Sequence, residues 1–150
     1  MRFFNTFSAT LATAALALSL PGCSQTVALD PAEDSNNPVC AEVSVRMPET
    51  IDTLARRTTN AQATTAWGDP AAVILRCGIA PVEVSKLRCL TVADVDWLVD
   101  ESKAPNYRFI TFGRTPATEV IIDSTKASGA TVLDELSSAV DRGKVTKRCL

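Results

Sequence analysis

The sequence predicts an α+β fold: a mainly antiparallel sheet of four to six strands with a helix near each end, stapled by two disulfides. Three observations carry this expectation. Short β-branched runs, separated by Gly, Pro and Asp punctuation, are spaced as strands and hairpins. An apolar stretch near the carboxyl end repeats at helical intervals. Beyond a secretory leader and Cys23 at its end, four cysteines remain, an even number for a chain sent to an oxidising compartment.

The leader comprises residues 1–22. Met1-Arg2 supplies positive charge, Phe7 to Leu20 is an uncharged run rich in Ala and Leu, and Leu20-Pro21-Gly22-Cys23 closes the segment. A basic start, a short apolar centre and a small residue before the cut mark a secretory signal peptide. The run is shorter than the ~20 residues of a membrane-crossing helix. Its closing tetrapeptide resembles the lipobox of bacterial lipoproteins, which directs diacylglycerol to a cysteine thiol. Leu20, Gly22 and Cys23 fit that pattern and Pro21 departs from it. Cys23 is thus the expected lipidation site, and the membrane is the expected partner through that lipid. An ordinary cleaved signal, cut after Ala15-Leu16-Ala17, is the competing reading.

Loss of the leader removes only Arg2 from the 15 basic residues and none of the 17 acidic ones, so the net charge falls from −2 to about −3. Nucleic acid demands a basic surface and is excluded as a partner. The remaining length suits one domain with its own core, expected over residues 38–150. Residues 23–37, the lipidated cysteine and a polar, acidic segment after it, read as a flexible tether. A coil of that length would hold the domain about 20 Å from its anchor.

Asn37-Pro38 has the form of a helix N-cap followed by a first-turn proline, which predicts a short helix to Met47. The same stretch also alternates as a strand would, with Val43, Val45 and Met47 on one side. Arg56 to Thr65 is polar and reads as a loop. Trp67-Gly68-Asp69-Pro70 is turn chemistry, and the apolar run Ala71 to Cys77, broken by Arg76, suits a buried strand. Leu90 to Val99 is one bent strand or two short ones, divided at Ala93-Asp94.

Tyr107 to Gly113 and Thr118 to Ser124 form the clearest hairpin. Symmetric closure puts Phe112 opposite Glu119, Ile110 opposite Ile121 and Arg108 opposite Asp123, with Phe109, Thr111, Val120 and Ile122 on the other face. Both faces are apolar at mid-strand, which places the hairpin inside the sheet. Ala130 to Arg142 is the final helix, with Val132, Leu133, Leu136 and Val140 as its stripe and Gly143 just beyond its end.

Cys40, Cys77, Cys89 and Cys149 allow three pairings. The favoured one joins Cys77 to Cys89 across a short loop and Cys40 to Cys149 across the domain. No histidine is present and no Cys-x-x-Cys pair occurs, so zinc is the weaker reading.

Four motifs occur in order: Trp67-Gly68-Asp69-Pro70, Arg76-Cys77-Gly78, Val95-Asp96-Trp97 and Phe112-Gly113-Arg114-x-Pro116-Ala117. With Cys40, Cys89 and Cys149 around them, they resemble an actinobacterial family of secreted or membrane-attached proteins catalogued as domain of unknown function 3515. The resemblance spans Cys40 to Cys149. It implies an extracytoplasmic address and carries no activity.

Without histidine, Ser-His-Asp and Cys-His nucleophile systems and histidine metal sites are excluded. No motif calls for a cofactor or a metal. Two function classes remain. One is a lipid-tethered binding or accessory module for an envelope protein or wall component. Its candidate site joins Arg76 and Arg114, whose guanidinium groups suit carboxylate or phosphate, with Trp67 and Trp97 as a stacking wall and Asp96 nearby. The favoured alternative is structural, with Arg76 paired internally with Asp69 or Asp96, both tryptophans in the core and Arg114 supporting its turn. Of the two arginines, Arg76 is expected to be the buried one and Arg114 the better candidate for contact. The other class is an envelope enzyme acting on a glycan through carboxylates drawn from Asp69, Asp96 and Glu119.

Overall fold

The computed structural model describes residues 25–150. The expected signal peptide and the expected lipidation site Cys23 lie outside the described residues. The elements are α1 (Pro38–Ser44), β1 (Thr50–Ile51), β2 (Leu54–Arg57), β3 (Thr64–Trp67), β4 (Val73–Ile79), β5 (Arg88–Val92), β6 (Val95–Asp100), β7 (Asn106–Thr111), β8 (Ala117–Asp123) and α2 (Gly129–Val140). One antiparallel sheet runs in the order β1-β2-β3-β4-β8-β7-β6-β5, so its strand count exceeds the expected four to six. Both helices pack on one face of it.

The excess strands come from two places. Arg56 and Arg57 lie in β2, and Thr64 and Thr65 in β3, where a loop was expected. These strands are polar because the far face of β2 and β3 meets water and a chain segment instead of a second apolar layer. Ala93 and Asp94 both take positive φ, which closes a two-residue hairpin and pairs Val92 with Val95. The predicted single run is therefore two strands.

The helical reading of residues 38–47 is the one adopted. Asn37 Oδ1 accepts from Val39 N at 3.0 Å, Pro38 opens the helix, and Met47 is buried beyond its end. In α2 the predicted stripe Val132, Leu133, Leu136 and Val140 is buried, and Ser128 caps the amino end. Trp67, Trp97, Leu75, Phe109, Val120 and Ile122 meet both helices in the main core.

The β7–β8 register differs from symmetric closure by two residues: Ile110 faces Glu119 and Arg108 faces Ile121. Phe112 and Gly113 leave the hairpin because Phe112 N bonds to Asp96 O on β6, while Gly113 O accepts from Thr146 N. A shift of two preserves the pleat. Phe109, Val120 and Ile122 thus still share the core face as predicted.

The cysteine pairing is the main correction. Cys40 is bonded to Cys77 and Cys89 to Cys149. Cys77 points into the core beneath α1, on the face opposite to Cys89, so the favoured Cys77–Cys89 link would have to pass through the sheet. The first bridge ties α1 to β4 and the second ties the carboxyl-terminal segment to β5.

A second correction concerns the tether. Gln25 to Asn37 lies against the domain. Val27 bridges to Thr59, Leu29 N donates to Asn60 Oδ1 at 2.7 Å, and Asp34 N donates to Gly78 O at 2.9 Å. Ala32 and Ser35 are buried. The segment needs little apolar character, because backbone hydrogen bonds and close approach hold it. A Cβ on Gly78 would lie 2.5 Å from Asp34 C.

Candidate functional site

The sheet face away from the helices is only partly covered. The strap 25–37 crosses it over β2 to β4. At the other end the β4–β5 loop and residues 143–150 cover a small cluster of Leu98, Ile110 and Ala117 with Ile79, Val82 and Phe112. Thr146 N donates to Gly113 O, and Lys147 pairs with Glu83. Between the two straps no described residue covers the centre of the sheet.

Strand alternation determines what shows through. Arg76 on β4 stands directly opposite Glu119 on β8, and Ile74 opposite Ile121. Arg108 on β7 stands opposite Ile121, one step diagonal to Glu119, and Asp100 on β6 stands opposite Arg108. Glu119 therefore sits between two arginines. Arg76 Nε donates to Glu119 Oε1 at 2.6 Å, with Nη2 on the same oxygen, and Arg108 Nε donates to Oε2. The Glu119 side chain is 2% exposed, whereas those of Arg76 and Arg108 are 35% and 38% exposed. A buried carboxylate costs free energy unless charge and hydrogen bonds compensate it, and both arginines do so here.

The arginines wall a cleft of about 290 Å³, lined also by Asp100, Lys103, Asn106 and Ile121. No hydrogen bond to a described residue engages the Nη atoms of Arg108. Hydrogen bonds from the Ser102 side chain and backbone, with Arg108 and Lys103 nearby, hold the Asp100 carboxyl below the usual aspartate range. A smaller apolar trough of about 110 Å³ shares Arg76, Glu119 and Ile121 and is completed by Leu29, Asp30 and Ile74.

The predicted pair of Arg76 and Arg114 is not brought together as a site. Arg114 is 3% exposed, and its Nη2 donates to Asp141 Oδ1 at 2.5 Å and its Nη1 to Arg142 O at 3.2 Å, closing the end of α2. Arg76 is the half-exposed one, and its partner is Glu119 rather than Asp69 or Asp96. The two roles are exchanged. Both tryptophans are fully buried in the helix-side core, so neither forms a stacking wall. Asp96 is buried, accepting from Thr91 Oγ1 and from Cys149 N.

The three candidate catalytic carboxylates are likewise apart. Asp69 pairs with Arg57 at the β3–β4 turn, Asp96 holds the carboxyl-terminal strap, and Glu119 lies between its arginines. Among the described residues no cluster of three or more Cys, Asp or Glu side chains is placed to hold a metal ion. Arg108 is the site residue that sequence reasoning missed. Its signal was present, since the alternation of β7 and β8 puts it on the face of Glu119. The two-residue register error paired it with Asp123 instead.

No curated protein and no solved structure is matched by the chain. A family model does match, over residues 6–148, nearly the whole length. The order of the four motifs and the cysteines around them agrees with that match, and the chain belongs to the family described as protein of unknown function DUF3515.

Proposed function

We propose that the chain is an exported, lipid-anchored binding module of the cell envelope, and that its ligand site is the cleft walled by Arg76 and Arg108. The ligand is an anionic group on an envelope protein or wall component. One observation carries the reading: two arginines are held by a buried carboxylate while about a third of each side chain stays exposed at the cleft. A guanidinium held this way loses little rotamer freedom when it takes a second anion. Arg76, Arg108 and Lys103 set against Glu119 and Asp100 leave the cleft one positive charge, in a chain whose net charge is −2.

The leader and the two disulfides support the address, since such cross-links persist outside a reducing cytoplasm. Anchored at Cys23, the domain rides close to the bilayer. Gln25 O already accepts from Arg57 Nη2 at 2.6 Å, and two residues of chain span at most about 7 Å. Calorimetric titration with N-acetylglycine tests the site. Saturable binding to the native protein, lost in Arg108→Ala with the fold retained, is the expected result. Equal binding by the variant removes the cleft from the account. Intact-mass analysis of membrane-extracted protein tests the anchor, with a diacylglyceryl group on an amino-terminal Cys23 expected.

A further inference from the structure

The cleft and the trough beside it have complementary chemistry. Arg108 commits only its Nε to Glu119 and Arg76 its Nε and Nη2, so the remaining guanidinium N–H groups face the cleft as donors suited to a carboxylate. Asp100 supplies an ionised acceptor next to those donors, and Asn106 supplies an amide that can both donate and accept. The cleft alone carries one net positive charge and Asp30 at the trough balances it, so a carboxylate is selected by the guanidinium N–H groups it meets and not by net charge. Across Arg76 and Ile121 the surface changes to aliphatic, where Leu29 of the amino-terminal strap closes over Ile74 and Ile121. A cavity of roughly 150 Å³ accepts benzene, so the trough of about 110 Å³ has room for a side chain of three or four carbons and not for a lipid acyl chain.

We infer that the site takes the carboxyl terminus of a peptide ending in a small aliphatic residue. The terminal carboxylate lies on Arg76 and Arg108, a peptide N–H meets Asp100, and the last side chain enters the trough. This inference rests on the anion-binding reading above and adds the ligand class to it. It also gives the docked strap a role, because Leu29 forms one wall of the specificity pocket.

Three peptides decide the matter: acetyl-Ala-Ala-Val as the free acid, the same peptide as its carboxyl-terminal amide, and acetyl-Ala-Ala-Gly as the free acid. The native protein is expected to bind the valine acid at least about tenfold more tightly than either of the others, because the glycine acid lacks the buried aliphatic side chain and the amide lacks the charge that accepts from the arginines. Ile74→Ser should lower the affinity for the valine acid to that for the glycine acid. Equal affinity for acid and amide, or for valine and glycine, overturns the inference. If N-acetylglycine still binds and requires Arg108, the anion-binding reading survives that failure. If no carboxylate binds, both fall together.

Discussion

At the scale of single residues, three arginines on one molecule have different work. Arg114 is structural: it is buried, and both its engaged nitrogens hold the carboxyl end of α2. Its replacement by Ala should destabilise the fold by about 1–3 kcal/mol, read by urea unfolding, with ligand binding unchanged in the fraction that stays folded. Arg76 and Arg108 share Glu119, so either can be lost while the carboxylate keeps one partner. Glu119→Ala leaves two part-exposed arginines that water screens, whereas Arg76→Ala combined with Arg108→Ala leaves the buried carboxylate uncompensated and should cost the most, about 3–5 kcal/mol. Asp100 adds a pH dependence. Its folded pKa is depressed, so its contribution is complete above the ordinary aspartate pKa and is lost as pH falls through the lower folded value. Carbon-detected titration should place its midpoint below that of an unstructured aspartate, and Arg108→Ala should raise it.

At the scale of elements, two glycines decide how the terminal straps lie. Gly113 has φ +67°, and a Cβ there would come within 2.7 Å of Lys147 C and N. Gly113→Ala should release residues 144–150 up to the Cys89 bridge, seen as faster proteolysis of that segment. Gly78→Ala should loosen the amino-terminal strap, seen as faster exchange of the Asp34 amide that donates to Gly78 O. The elements legible in the sequence were those with local signals. The Asn37-Pro38 cap, the stripe of α2 and the alternation of β7 and β8 are each set by residues within a few positions. What escaped depends on distant partners. Residues 25–37 look like a tether because their hydrogen bonds go to Thr58, Asn60 and Gly78, none of them nearby in sequence. Likewise β2 looks like a loop because its arginines are satisfied outside the strand, Arg57 by Gln25 O and Gly68 O and Arg56 by Met47 O and Glu49. Arg76 and Arg114 were misassigned for the same reason. Burial of an arginine follows from which face and which strap lie over it, and short-range pattern does not record that.

At the scale of the whole molecule, the sheet has a packed side and a working side. The helices and both tryptophans occupy the packed side, and Cys40–Cys77 lies within it. Residues 25–37 and 143–150 cross the other side, and among the described residues the arginine cleft is the gap between them. Peptide mapping without reduction should recover Cys40–Cys77 and Cys89–Cys149. Their loops of 37 and 60 residues correspond to about 4 kcal/mol each on the chain-entropy model. Selective loss of the second bridge, as in Cys89→Ser with Cys149→Ser, should free the carboxyl-terminal strap and leave the main core folded. The central claim is that the outward nitrogens of Arg76 and Arg108 bind an anion. The most direct measurement follows the arginine Nε–Hε resonances while N-acetylglycine is titrated into the native protein. The account predicts saturable shifts at Arg76 and Arg108 with one common affinity and none at Arg114. Shifts confined to Arg114, or no saturable shift at either cleft arginine, would contradict it.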